Sequence, residues 1–481
     1  MSTQPLGSLH WQPTMENLTT NTAIDPERLD RLITHIKDYQ ITHGFLLKFV
    51  RLEQPTTVPC RPVNVSILPT HFPKTLFEEA IGLQDLYTDL YARASSDPDW
   101  LHAVLSPLLE SDGSIVRALW DIWEKVRQAG VVQDVVCGIF RSDYMLHQAS
   151  TGDPVVLKQV EMNTVSVAGA CHAERAADLH SHLKRMEDLT TIRQQRLPLQ
   201  DEAFLPLNDN MLALTSALKA AHSAYTPTTS HPTCVLMIVQ PDNFNIADER
   251  PLEYGLWDES IPCYRCEWPD VLTTTTLTQD RTLLFQHSFE VSLIYYRAGH
   301  QAHEYTDPAI RLRLELSRAI KCPDVLTHLT TFKSVQAALT SEHARTHFSI
   351  SARLVQTFMP MISAPNPNLI KDPTDWVLKP NLEGGDGHGS DIPAQSNFTF
   401  QRRIHPPPTS GTLMLPDQIY QGPVVSELGI LGTCLWRRNA EGGVEVLRKE
   451  TAGWTFKTKP AVVEGMNVVK GFGCFDCPLL V

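Results

Sequence analysis

The chain has 481 residues, 42% of them hydrophobic and 20% charged, with a formal charge of −13. That length supplies two or three domains and a large core, and the acidic balance argues against a nucleic-acid or anionic-membrane surface. No apolar run approaches the roughly 20 residues of a membrane span, and residues 1–20 are polar without an apolar signal core. The expected setting is cytoplasmic, with the ten scattered cysteines reduced.

Asp25-Pro26-Glu27 reads as a helix start: an N-cap, a proline at the first position and an acid in the first turn. Leu29, Leu32, Ile33 and Ile36 continue at helical spacing, and residues 75–130 repeat the pattern in two or three amphipathic helices with Trp120 and Trp123 as core. Two strand-like runs follow, 135–140 and 155–160. The first leads into Arg141-Ser-Asp-Tyr-Met145, the second into Glu161-Met-Asn-Thr164. Simple alternation places Lys158, Val160 and Met162 on one face and Gln159, Glu161 and Asn163 on the other. A carboxylate and an amide oxygen on one face suit a hard cation. A solvated strand face has the same pattern, so the pair alone leaves both readings open.

A helix is expected at 173–188, a buried strand of an α/β sheet at 234–240, a helix near 248–257 and a strand at 263–268. Residues 273–276 read as a short linker, 291–297 as a strand, and 308–320 and 333–357 as helices. Two antiparallel strands are expected at 424–435 and 444–459. Cys263/Cys266 and Cys474/Cys477 form two Cys-x-x-Cys pairs about 200 residues apart, too far for the usual zinc spacing. His300/His303 and His343/His347 have helical spacing without an acidic partner in a metal motif.

The run Trp376-Val-Leu-Lys-Pro-Asn-Leu-Glu-Gly-Gly-Asp-Gly-His-Gly389 organises the chain. Residues 376–378 make a short buried strand, Lys379 ends it, Pro380 stops its pairing, and Gly384, Gly385, Gly387 and Gly389 make a glycine-dense turn. Such a turn lets backbone N–H groups approach phosphates without side-chain clash. Glu383 inside it would repel phosphates unless Mg²⁺ lay between, so the loop points to a Mg-nucleotide. It is not a P-loop, because no Gly-Lys-Ser/Thr follows. A surface loop shares this composition, and the loop alone does not choose.

Six segments then coincide in order with one family: Arg141-Ser-Asp-Tyr-Met, Lys158-Gln-Val-Glu-Met-Asn-Thr-Val-Ser166, Tyr296-Arg-Ala-Gly299, Lys379-Pro-Asn-Leu-Glu-Gly-Gly385, Ser426-Glu-Leu-Gly429 and Lys457-Thr-Lys459. The set resembles eukaryotic-type glutathione synthetase, an ATP-grasp ligase. The resemblance implies an α/β chain with α+β lobes in an ATP-grasp fold, and a homodimer. It implies a helical part at 1–130, a catalytic body at 131–225 and 300–481 with a glycine-rich lid, and an inserted α/β substrate domain at 226–299. It implies Mg²⁺ at Glu161, Asn163 and Glu383, and ATP against Lys333, Lys379, Gly384, Gly385, Glu427 and Lys459. Arg141, Lys333 and Lys379 would act in catalysis. Arg141, Ser166, Asn245 and Arg297 would hold the γ-glutamyl peptide, and Lys457 the acceptor amine's carboxylate. The implied reaction makes an acyl phosphate from the peptide carboxylate, which the amine then attacks.

The chain departs from the family where substrates sit. Val167-Ala-Gly-Ala-Cys171 replaces Ala-Ser-Phe-Gly-Gly, and His300 replaces a tyrosine. Asn243 and Glu249 replace a glutamate and a glutamine, and Leu382 an arginine. Lys457 replaces an arginine, and 464–470 replaces a glycine- and alanine-rich lid. Three readings follow: a ligase making glutathione, a paralogous ligase joining another acid or peptide to a non-glycine amine, and an inactive nucleotide-binding protein.

Overall fold

The computed structural model describes residues 24–110, 114–186, 204–363, 373–381, 398–439 and 442–481. Asp25 caps α1 (Pro26–Thr42) by accepting the Arg28 N–H at 3.2 Å, with Pro26 at the first position. The 75–130 region forms three helices: α2 (Lys74–Ser95), α3 (Pro98–Leu109) and α4 (Ile115–Ala129). In α4 the apolar stripe Ile115, Leu119, Trp120, Ile122 and Val126 is buried, as helical spacing requires. Three further helices bear on the site: α5 (Ala170–Arg185), α6 (Asn210–Ala224) and α7 (Ile246–Asp258).

The strands that build the site are, in chain order, β1 (Val135–His147), β2 (Val156–Asn163), β3 (Thr233–Val239), β4 (Cys263–Glu267), β5 (Phe289–Tyr296) and β6 (Ile320–Cys322). They continue with β7 (Met361–Ser363), β8 (Trp376–Pro380), β9 (Phe398–Arg402), β10 (Ile419–Arg438) and β11 (Val444–Pro460). All but β7–β9 belong to one sheet, of thirteen strands among the described residues. Its parallel half runs β4–β3–β5–β6–β1, and its antiparallel half continues from β1 to β10 and β11. The parallel half is apolar on both faces. Cys234, Leu236 and Ile238 of β3 join the core under α2–α4, whereas Val235, Met237 and Val239 join the core under α6 and α7.

β1 is where the halves meet. Its start pairs with β6 at Val136, and its second half, from Arg141 on, pairs with β2 instead. β10 covers its other edge along most of its length. The strand is therefore longer than the apolar run 135–140 and carries Arg141 to Met145 inside the sheet.

Four local expectations are corrected. β2 carries a β-bulge: Asp143 pairs Glu161 and Tyr144 pairs Gln159, which leaves Val160 as the extra residue. The bulge reverses the alternation, so Gln159 lies with Ser142, whose Oγ it meets at 3.0 Å, and not with Glu161 and Asn163. The helix expected to 320 ends at Glu315, and 333–357 is three short helices, Lys333–Leu339, Glu342–His347 and Ala352–Thr357. Residues 273–276 are not a linker but the junction of the Val271–Thr274 helical turn and the Thr275–Leu277 strand. β8 is half-buried, and its pairing runs through Pro380 opposite Phe398. Among the described residues β9 is its only sheet neighbour, so Pro380 lies on an edge, where its missing N–H costs no ladder bond.

Candidate active site

β1 presents Arg141 and Asp143 on one face, two residues apart. The guanidinium forks onto the carboxylate, Nε to Oδ1 at 2.6 Å and Nη2 to Oδ2 at 2.8 Å. Burial alone pushes the Arg141 pKa down, but Asp143, with Glu427 and Glu161 behind it, raises it above the ordinary value. The neighbouring strand makes room for this pair. Gly429 of β10 lies opposite Asp143, and a Cβ there would overlap Asp143 Oδ1, Thr455 Oγ1 and the Arg141 side chain. The glycine of Ser426-Glu-Leu-Gly429 is thus required by close approach.

β2 brings Glu161 opposite Asp143 and Asn163 opposite Arg141. The Asn163 Nδ2 donates to Asp143 at 2.9 Å and, more loosely, to Glu161 at 3.4 Å. Its Oδ1 is then the atom left to meet a cation. Lys333, buried at the start of a short helix, pairs with Glu161 Oε2 at 3.0 Å. The Lys379 ammonium donates to the Val160 carbonyl at 2.8 Å, the carbonyl of the bulged residue. Burial pushes the Glu161 carboxyl upward, yet Lys333 and Lys379 outweigh it and hold the group well below the usual carboxylate range. Lys379 is pushed down to about 8 by burial and by Lys333, with Glu161 opposing. The small sheet β7–β9 also rests on β2 through Gln401, whose Nε2 donates to the Gln159 carbonyl at 3.2 Å.

A second cluster lies where β2 runs into α5. Ser166 takes a left-handed backbone (φ 48) and its hydroxyl donates to the Tyr296 carbonyl at 3.3 Å. The next two carbonyls are held by two arginines: Arg297 donates to Val167, and Arg141 to Ala168 at 2.7 Å. Arg297 also meets Glu249 and Asp248, each at 3.3 Å. Asp248 in turn accepts the N–H groups of Gly169 and Cys171 at 2.9 and 3.0 Å, at the start of α5. Asn245 approaches Asp248 at 3.4 Å and the His172 ring at 3.2 Å. Ser166, Asn245 and Arg297 therefore share one network, tied to the first cluster through Arg141.

The third group spans β10 and β11. Glu427 and Lys457 are directly opposed and ion-paired at 2.6 Å. Burial raises the Glu427 pKa, with Lys457 opposing. Lys459 follows on the same strand and donates to the Val463 carbonyl. Glu383, Gly384 and Gly385 lie outside the described residues, as do Leu382, Gly387 and Gly389.

Asp143, Asp248 and Gly429 escaped the sequence reading as working residues. For Asp143 a signal existed: Arg-x-Asp on a strand puts both charges on one face. Asp248 and Gly429 act through contacts with elements distant in sequence and carry no local mark.

Glu161 and the Asn163 oxygen are hard donors of the kind Mg²⁺ takes, and Lys333 and Lys379 surround them with positive charge suited to phosphates. Comparison with known proteins bears on the same point. The eukaryotic glutathione synthase ATP-binding domain family matches residues 26–480. The glutathione synthetase large chain of Schizosaccharomyces pombe is 27% identical over 497 residues, covering 93% of this chain and 97% of that protein. Glutathione synthetase of Xenopus laevis is 29% identical over 444 residues, covering 86% of this chain and 90% of that one. A solved structure of a glutathione synthetase like-effector from Globodera pallida, in apo form, matches with a TM-score of 0.72 at 21% identity, over 95% of this chain and 98% of that one. At that identity the likeness shows a shared fold. The chain belongs to the eukaryotic glutathione synthase family, and it is an ATP-dependent ligase that uses ATP with Mg²⁺.

Proposed function

We propose that the chain joins the carboxylate of γ-glutamyl-cysteine, or a close γ-glutamyl relative, to glycine or a related small amine, with ATP giving ADP and phosphate. The observation that supports this is the set of buried Lys333 and half-buried Glu161 and Lys379 beside the forked Arg141. A carboxylate is a poor acyl donor because its oxygen leaves badly, and phosphorylation supplies a good leaving group. Bound Mg²⁺ neutralises charge on the transferring oxygens. Glu161, Asn163 and Glu383 would hold it.

In this reading Lys333 and Lys379 orient the phosphates, Gly384 and Gly385 cover them, and Glu427 and Lys459 hold the nucleotide. Arg141 faces the reacting carboxylate, fixed in orientation by Asp143. Ser166, Asn245 and Arg297 hold the γ-glutamyl end, and Lys457 attracts the acceptor's carboxylate. The amine attacks the acyl phosphate, and phosphate departs. Water must be excluded, or the intermediate hydrolyses.

We take the helical part as 1–130, the catalytic body as 131–225 and 300–481, and the substrate domain as 226–299, and infer a homodimer. A cytoplasmic setting suits the cysteines, all ten of which are free thiols. Among the described residues no helix is long and apolar enough to cross a membrane. ADP release tests the reading. It should require both γ-glutamyl-cysteine and an amine, with mass spectrometry showing the joined product. ADP release indifferent to both substrates would overturn it.

A further inference from the structure

At the start of β1, several residues before Arg141 and Asp143 on that strand, lies a cavity of about 770 Å³, within the range of small-molecule sites. Val135 and Val136 line it, and Asp143 lies seven or eight residues further along the same strand, roughly 25 Å at the rise of an extended chain. Its walls include Trp123, Val126, Val325 and Leu326. At its base stands Lys321 of β6, only 4% exposed.

The charges at this base pair unevenly. Glu315 is taken by Arg311 at 2.8 Å and also accepts the Tyr296 hydroxyl at 3.2 Å. Asp324 is taken by Arg438 and caps the Thr327 N–H at 3.0 Å. Lys321 donates to the Ser317 carbonyl and, among the described residues, has no carboxylate at ion-pair distance. Arg311, which does not itself line the cavity, and Arg438 thus take up both buried acids, and among the described residues Lys321 is left without an ion-pair partner. Burial pushes Lys321 down to about 8, with Glu315 and Asp324 opposing. The acids at the rim are engaged elsewhere or stand in water. Asp97 meets His347 at 2.7 Å, Asp134 meets Arg437 at 3.4 Å, and Asp99 lies in the first turn of α3.

We propose that this cavity is a second ligand site, separate from the nucleotide site, which takes a small carboxylate with an apolar body. The carboxylate pairs with the Lys321 ammonium, and the body packs on Trp123, Val325 and Leu326. The single charge of that ammonium matches a monoanion. A phosphate dianion would overshoot it, and a cation would add to it. Nothing in this argument depends on which peptide and amine the enzyme joins.

The test uses the full-length protein saturated with a non-hydrolysable ATP analogue, Mg²⁺ and γ-glutamyl-cysteine, which keeps the nucleotide and γ-glutamyl sites filled. Hexanoate, hexanol and hexylamine are titrated by calorimetry. Hexanoate is expected to bind at least about tenfold more tightly than either other probe, from the single charge pair. Lys321→Met should abolish that preference and Lys321→Arg should keep it. If Lys321→Met fails to fold, Val132→Trp, at the 37% exposed rim, should weaken hexanoate by narrowing the entrance. Equal affinity for hexanoate and hexanol, absence of hexanoate binding, or binding unchanged in both Lys321→Met and Val132→Trp would overturn the proposal.

Discussion

Replacing Glu161 by Gln removes an acid that acts on both Lys333 and Lys379. At 3.0 Å and an effective dielectric constant of ~20, the Glu161–Lys333 attraction is about 5.5 kcal/mol before desolvation. Breaking a buried pair typically costs ~3–5 kcal/mol. Here a cheaper route exists. Lys379 already stands at about 8 with Glu161 holding it up, so without that acid shedding its proton at pH 7 costs at most about 1.4 kcal/mol. The variant then carries one positive charge in the site, as the wild type does. The expected destabilisation is therefore about 1–2 kcal/mol, or ~1–2 °C in Tm for 481 residues. ATP affinity should fall only a few-fold, because the net charge is kept. The cation donor is lost, and kcat should drop by ~10²-fold or more. Calorimetric unfolding and coupled ADP release at saturating Mg²⁺ measure both quantities. A Tm loss above ~5 °C would show that Lys379 does not yield its proton, and unchanged kcat would remove Glu161 from the cation site.

Lys379 is charged below about pH 8 and loses its charge as pH rises. KM for ATP should therefore climb above pH 8, and Lys379→Arg should flatten that limb to about pH 9.5 or beyond; a KM profile identical in the two proteins refutes the phosphate role. Gly429→Ala should cost ~1–3 kcal/mol by overpacking and lower kcat at least about tenfold by displacing Arg141. Full activity in that variant would mean that the Arg141–Asp143 fork is dispensable. Glu383→Gln, chosen on sequence alone, should lose ~10²-fold or more in kcat while Tm holds, and normal ADP release would count against it. Lys457 offers one mobile charge already engaged with Glu427, where an arginine would grip a carboxylate in a fixed fork. Lys457→Arg should raise kcat/KM for glycine by about tenfold, ~1.4 kcal/mol; if glycine is already preferred tenfold and arginine brings no gain, the orientation argument fails.

Where chemistry and periodicity coincide, the sequence reads plainly. Asp25-Pro26 starts α1, the all-apolar run at 234–239 becomes a strand buried on both faces, and Glu161 and Asn163 share a face. Lys379 at a strand end is found beside them. What escapes depends on register. Val160 is an ordinary strand residue, and nothing in its type marks it as the one to be skipped. Asp143 becomes an anchor only because β10 brings a glycine opposite it. Lys457 meets Glu427 because two long strands align across 30 positions, a fact invisible in either segment.

The bulge at Val160 has a consequence for insertion and deletion. Its side chain is half-buried, so exchange for isoleucine or threonine leaves the strand as it is. Removing the residue restores uninterrupted pleating. Either Gln159 or Glu161 must then change face, and Lys379 loses the carbonyl that receives it. The small sheet would give up this anchor at the same moment as the acid beside it was turned away. At this position the number of residues matters more than their kind: β2 tolerates spelling changes at Val160 but not a missing letter.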